Sequence, residues 1–162
     1  MSDAVLPSAT RVEMTEIILP PHTNNLGTAF GGQLVCWIDI AASVSGRRYA
    51  RGPVVTASID QIHFLAPVRL GMVVILRSMV NQAWRTSMEI GVRIEAEDTT
   101  TGVREHCCTA YLTFVALDAG GRPRELPRLD TREDPDTQRR AREATLRREG
   151  RLAVRKQRLE TR

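Results

Sequence analysis

The sequence predicts an α+β fold: an antiparallel β-sheet wrapped around one long buried helix, with an additional C-terminal helical tail. Three observations lead there. Residues 31–49 include Leu34, Trp37, Ile38, Ile40, Ala41 and Val44 and are apolar nearly all the way round, so a helix there must be covered on most sides. Residues 86–97 alternate strictly, with Met88, Ile90, Val92, Ile94 and Ala96 opposing Glu89, Arg93, Glu95 and Glu97, the period of a half-buried strand. One β-type segment precedes the helix and four follow it, so a single sheet has to curl around a single helix. Its open edges and the uncovered helix flank would be best hidden by a second copy of the chain.

In chain order, Thr10 to Leu19 is β-prone and stops at Pro20-Pro21. After the apolar helix, Val54 to Leu65 reads as a strand ended by Pro67, and Met72 to Val80 is β-rich behind Gly71. The alternating run over 86–97 is followed by Thr99-Thr-Thr-Gly102, a hairpin loop, and by a second alternating run from Arg104 to Val115. These four strands are expected to be antiparallel. Asp118-Ala-Gly-Gly-Arg-Pro, then Pro127 and Pro135, mark a change of regime, which places the end of the compact domain near residue 118 and assigns 119–162 to a basic, Arg-rich tail. Residues 136–160 read as a helix with many charge pairs, solvated or clasping a subunit.

Length and composition narrow the function classes. A chain of 162 residues, 42% hydrophobic and 26% charged, has room for one core and lies far from the signature of disorder. The longest apolar stretch, Leu34 to Val44, is interrupted by Asp39 and falls short of the roughly 20 residues of a membrane span. No secretory signal segment opens the chain. Three cysteines, two of them adjacent, make no even disulfide framework, so a reducing cytoplasm is the expected compartment. The net charge of +4 is unevenly divided: residues 1–118 carry nine Lys or Arg against eleven Asp or Glu, and residues 119–162 fourteen against eight. The basic character therefore belongs to the tail.

The chemistry concentrates in residues 20–46. Asp39 lies within the most apolar helix, where an unpaired carboxylate is costly and its pKa tends to rise. A structural salt bridge is the alternative, yet no Lys or Arg occurs between Arg11 and Arg47 to supply it locally. Gly31-Gly32 opens the helix, so bare N–H groups could form an anion or oxyanion site, or the pair could simply make a tight turn. Asn24 and Asn25 sit in the preceding loop, where an amide can orient a water or a carbonyl, or form an Asx turn. His22, His63 and His106 are scattered, no His-x-x-x-His or Cys-x-x-Cys spacing occurs, and no Gly-x-Ser-x-Gly elbow is present, so neither a metal site nor a serine triad is expected.

Taken together, the loop Asn24-Asn25, the Phe30-Gly31-Gly32 turn and the helix Asp39 resemble the active-site segment of the hotdog-fold acyl-CoA thioesterases, specifically the acyl-CoA hydrolase group. The resemblance extends to Val54–Gly71 and to Trp84-Arg-Thr-Ser-Met88, and covers about residues 8–118. It implies Asn24, Gly32 and Asp39 as catalytic, with Asn25 the less favoured amide. It also implies Phe30, Gly31, Ser58, Phe64, Arg85, Thr86 and Ser87 as substrate- or CoA-binding residues, the Arg85–Ser87 segment lying near the CoA phosphates. For these three the alternative is a hairpin end exposed for solubility. The implied activity is hydrolysis of acyl-CoA to free fatty acid and CoA. Asp39 would serve as general base on a water, or as direct nucleophile, with the Gly32 N–H as oxyanion donor. No cofactor is implied beyond the CoA of the substrate itself.

The expected helix rise of about 1.5 Å per residue separates Asp39 from Gly31 by about 12 Å, too far for one protomer to bring the two together easily. The resemblance implies a site at a homodimer interface, with dimers gathered into hexamers as trimers of dimers. Two rival functions stand beside this one. A non-catalytic acyl-CoA sensor on the same fold would need an attached DNA-reading module, for which the residues before Thr10 offer no room. Nucleic-acid binding through the arginine-rich tail is opposed by its interleaved acids and its lack of aromatics.

Overall fold

The computed structural model describes residues 4–160. Five strands and two long helices follow in the order β1 (Val12–Ile17), α1 (Gly31–Ala50), β2 (Val54–Ile59), β3 (Val73–Ala83), β4 (Ser87–Asp98), β5 (Val103–Ala116) and α2 (Pro135–Glu160). All strand pairs are antiparallel and the sheet order is β1-β3-β4-β5-β2, the helix-wrapped hotdog sheet that the sequence leads one to expect. The strand after the helix does not lie beside β3, its successor, but crosses to the far edge and pairs with β5.

Helix α1 buries Leu34, Trp37, Ile38, Ala41, Ala42, Ser45 and Tyr49, an i, i+3, i+4, i+7 stripe, against the inner face of the sheet. Met88, Ile90, Val92 and Ile94 meet it from β4, opposite Phe114, Leu112, Ala110 and Cys108 of β5, so the alternation of both strands faces as their sequences predict. Burial pushes the Tyr49 hydroxyl up to about 12, and that hydroxyl donates to the carbonyl of Pro127. The opposite flank of α1, where Ile40 is 46% and Val44 38% exposed, is left open, and beside it lies the free edge of β2.

Residues beyond 118 fold back onto the body. Arg124 donates to the carbonyl of Ala50 at the C-terminal end of α1, where a cation is favoured. The backbone N–H of Leu126 bonds to the carbonyl of Arg85, and those of Val5 and Asp130 bond to Arg128 and Val5. Helix α2 starts on a reciprocal cap: the Thr137 N–H donates to Asp134 Oδ1 at 2.9 Å and the Asp134 N–H to Thr137 Oγ1 at 3.1 Å. It then lays Thr137, Ala141 and Ala144 against the outer face of the sheet. The tail helix therefore spends its first half docked on the sheet rather than solvated, and only from Leu152 onward is every described residue exposed. Docking explains why Glu89, expected on a solvated strand face, is 0% exposed: Arg147 and Arg151 of α2 both bond its carboxylate.

Among the described residues no helix is long and apolar enough to cross a membrane, and no group of His, Cys, Asp and Glu could hold a metal ion.

Candidate active site

The start of α1 is built by the loop before it. The Phe30 N–H donates to the His22 carbonyl, and the His22 ring stands edge-on to Trp37 at 5.0 Å, fixing where the helix begins. Asn24 adopts the Asx arrangement: its Oδ1 accepts from the N–H groups of Leu26 (2.9 Å) and Thr28 (3.2 Å), and its Nδ2 donates to Thr28 Oγ1 (3.0 Å). One amide hydrogen of Asn24 is left over. Asn25 is exposed, with no side-chain hydrogen bond among the described residues.

No side chain caps α1, and the N–H groups of Gly31 and Gly32 find no acceptor among the described residues. These are the orphan donors of a first helical turn, at its positive end. A Cβ on Gly31 would lie 3.3 Å from Phe64 Cε2, so the glycine lets that ring close over the turn. A Cβ on Gly32 would meet nothing within 4 Å, and this side of the turn is open to solvent. Phe64 arrives here because the chain leaves the ladder after Ile59, keeping only the bonds from the Asp60 N–H to Tyr111 and from the Leu65 N–H to Cys107. The strand expected to run to Leu65 is six residues shorter for that reason.

Asp39 sits two turns further along α1 on the open flank, half-buried rather than enclosed in the apolar core. The helix is less uniformly covered than its composition suggests, and the carboxylate lies beside Cys36 and Ile40, both exposed. Among the described residues it has no ion pair; its partner is Thr56 of β2, whose hydroxyl donates to Oδ1 at 2.6 Å. The resemblance implies Ser58 as a substrate- or CoA-binding residue and does not single out Thr56, two residues before it. The difference is a β-bulge at Ala57: Thr56 pairs with inward-facing Phe114, whereas Ser58 pairs with Thr113 and so lies on the outer face, away from α1. A hydroxyl within a β-type run 17 residues after the helix acid was the available signal, but the bulge that selects between the two candidates leaves no mark in the residue pattern.

The third group lies elsewhere. The Trp84 N–H donates to the Ser87 carbonyl at 2.8 Å, closing the β3–β4 hairpin, and Arg85 on its tip stands 3.8 Å from Glu125 with both side chains about three-quarters exposed. Thr86 accepts from the Ala116 N–H, and Leu117 reaches Pro53, so the hairpin neighbours the C-terminal end of α1. Twenty helical residues span about 30 Å. One protomer thus gathers Asn24, Phe30, Gly31, Gly32 and Phe64 at one end of α1 and Asp39 with Thr56 at its middle. It leaves Arg85, Thr86 and Ser87 at the far end and Ser58 behind the sheet.

Residues 26–103 match the model of the thioesterase superfamily. The mouse acyl-coenzyme A thioesterase 11 is 37% identical over 153 residues, 93% of this chain, which spans only 25% of that protein's length. An uncharacterized acyl-CoA thioester hydrolase of Bacillus subtilis is 42% identical over 120 residues, covering 74% of this chain and 70% of the relative. Among solved structures, an acyl-CoA hydrolase from Bacillus cereus superposes with a TM-score of 0.92 at 32% identity over 98% of this chain and 96% of its own. An apo-hexameric acyl-CoA thioesterase superposes with a TM-score of 0.89 at 34% identity over 93% and 96%. The acyl-CoA hydrolase of Staphylococcus aureus, solved with butyryl-CoA, CoA and CoA disulfide, superposes with a TM-score of 0.87 at 31% identity over 98% of both chains. It has also been solved as three alanine variants, of an asparagine, an aspartate and a threonine.

Proposed function

The chain belongs to the thioesterase superfamily, and from that premise we propose that it hydrolyses acyl-CoA thioesters to a free fatty acid and CoA at a site shared between two copies of the chain. The observation that carries the reading is the pairing of two unspent chemical groups on one open flank: N–H donors at Gly31 and Gly32 and a carboxylate at Asp39, which among the described residues have no acceptor and no counter-ion respectively. The three positions replaced in the Staphylococcus aureus enzyme are separated by 15 and 17 residues, as are Asn24, Asp39 and Thr56 here, which supports assigning these three to the reaction.

In the mechanism, Thr56 holds Oδ1 of Asp39 and so leaves Oδ2 to take a proton from water. The oxygen of that water bonds to the thioester carbon while the Gly32 N–H receives the charge moving onto the carbonyl oxygen. Collapse of the tetrahedral species breaks the C–S bond, and the departing thiolate recovers the proton from Asp39. The remaining hydrogen of Asn24 Nδ2 orients the thioester or the water, while the Asx turn of Asn24 holds the loop that delivers Gly31 and Gly32.

A two-fold axis perpendicular to the free edge of β2 would continue the sheet into a second copy and lay the two α1 helices antiparallel. The arrangement covers Ile40, Val44, Val55 and Ile59, all exposed in the protomer. It also carries the partner's helix middle, with its Asp39, towards the Gly31-Gly32 turn, and the partner's Trp84–Ser87 hairpin, at the other end of its helix, towards the CoA side of the same site. Phe30 and Phe64 then line the acyl path, Ser58 is left with a structural place, and three such dimers make a hexamer. The proposed setting is the reducing cytoplasm expected from the cysteine usage of the sequence. Nucleic-acid binding by α2 is disfavoured, because Arg139, Arg140, Arg147 and Arg151 are already engaged by carboxylates.

The test is a thiol-release assay with acetyl-, butyryl-, hexanoyl-, decanoyl- and palmitoyl-CoA. Turnover of at least one thioester, lost by a factor of 100 or more in folded Asp39→Asn protein, supports the reading on the usual scale of general-base catalysis, about 10²–10⁴. Absence of turnover on every thioester, or an Asp39→Asn enzyme within a few-fold of wild type, rejects it.

A further inference from the structure

Arg151 stands where α2 leaves the body: the helix is already docked through Thr137, Ala141 and Ala144 and through Arg147, whose guanidinium stacks 3.6 Å from the centre of the Tyr111 ring. Its own guanidinium forks instead between two strands. Nη2 bonds Glu89 Oε2 of β4 at 3.0 Å, and Nη1 bonds Asp60 Oδ2, one residue past β2, at 2.6 Å. β4 and β2 are separated by β5 in the sheet, so the fork bridges strands about 10 Å apart. Arg151 and Asp60 are each only about one-fifth exposed on their side chains, and Glu89 is fully buried, so this contact is not a solvent-screened surface pair.

The bridged strand is the one that needs holding. Within one protomer β2 has six residues, a neighbour on one side, and a bulge at Ala57 in its middle. Thr56 and Asp60 are four residues apart and would share a face in a regular strand. The bulge separates them: Thr56 turns inward to Asp39, while Ser58 pairs with Thr113 and Asp60 turns outward to Arg151. A one-residue slip that removed the bulge would carry one of the two to the wrong face.

We infer that Arg151 is a positioning residue of the site: by clamping Asp60 to Glu89 it locks the Ala57 bulge and so fixes the register of β2 in which Thr56 reaches Asp39. The C-terminal helix thereby takes part in shaping the active site from behind the sheet, at a residue 91 positions away from Asp60. The inference rests on the thioesterase reading of Asp39 for its kinetic consequence, but the strand clamp itself does not.

The experiment is a double-mutant cycle of Thr56→Ala and Arg151→Gln in the full chain, read by thiol release on the most rapidly cleaved thioester of the panel, with backbone hydrogen exchange as a second readout. Arg151→Gln is expected to lower kcat roughly tenfold with KM within threefold, and to speed exchange of the amides of residues 55–60. In the Thr56→Ala background, where the hydroxyl to be positioned is gone, the same substitution should cost less than about twofold. Thr137→Ala, which loosens the start of α2 without touching β2, should lower thermal stability yet keep kcat within twofold. An additive cycle, unchanged exchange over residues 55–60, or an equal kcat loss in Thr137→Ala would overturn the inference. If wild type cleaves no acyl-CoA, the thioesterase reading fails and the exchange measurement alone decides on the clamp.

Discussion

Removing the carboxylate of Glu89 should weaken the fold through the docking of α2. In Glu89→Ala the guanidinium of Arg147, bonded at 2.7 Å through Nη2 and 3.2 Å through Nε, and that of Arg151 at 3.0 Å lose their common acceptor, and the amide of buried Asn81 loses its bond at 3.3 Å. Breaking a buried ion pair from one side costs about 3–5 kcal/mol. Each arginine side chain keeps 23% exposure, and Arg151 keeps Asp60, so water and the remaining partner offset part of this; the lower end, about 3 kcal/mol, is expected. At about 2–4 °C per kcal/mol for a chain of this size, Tm should fall by roughly 6–12 °C. Thermal unfolding followed by circular dichroism, with urea titration at 25 °C, measures both quantities. A loss below about 1 kcal/mol would show that α2 does not seal Glu89 in solution, and the docking described above would be wrong.

Gly32→Pro deletes the proposed oxyanion N–H at a helix position where proline is tolerated, and should lower kcat by about 10²–10³, whereas Gly32→Ala keeps the N–H and adds a Cβ with nothing within 4 Å, and should stay within a few-fold of wild type. Equal losses in the two variants, measured by thiol release, would remove that N–H from the mechanism. Burial raises Tyr49 from 10.0 to about 12, so its contribution to stability is whole below pH 10 and is lost as pH rises through about 12; Tyr49→Phe should flatten the stability decline over that window in alkaline unfolding curves, and an unaltered decline would contradict this.

What the sequence reveals of this molecule follows the range of the interactions involved. α1, β4, β5 and the loop between the last two are legible because their periodicity is local and the core face of each repeats along the chain. The docked half of α2 is not, because Glu89 in an alternating strand reads as solvent-facing until Arg147 arrives from 58 residues away, and a charge-rich helix gives no sign of which arginines turn inward. Asp39 stands out in the sequence through its setting in an apolar helix, although the structure puts it half-buried on the flank where Ile40 and Val44 are exposed. The bond from Thr56 to Asp39 leaves no mark in the sequence, because a β-branched residue in a strand is adequately explained as a strand former, and a bulge is a property of the pairing rather than of the strand.

If the helix turn of one protomer and the Asp39 of its partner make one active site, mixing two differently inactivated proteins restores activity that neither has alone. Gly32→Pro and Asp39→Asn proteins, each inactive alone, are combined in equal amounts, exchanged under mild denaturant and returned to buffer, with mixed assemblies verified by native mass spectrometry. Statistical pairing makes half of the dimers mixed, and each mixed dimer holds one intact site of two, so thiol release should recover to about a quarter of the wild-type rate. Verified exchange with no recovery would mean that Gly32 and Asp39 act within the same chain, and the shared site would have to be abandoned.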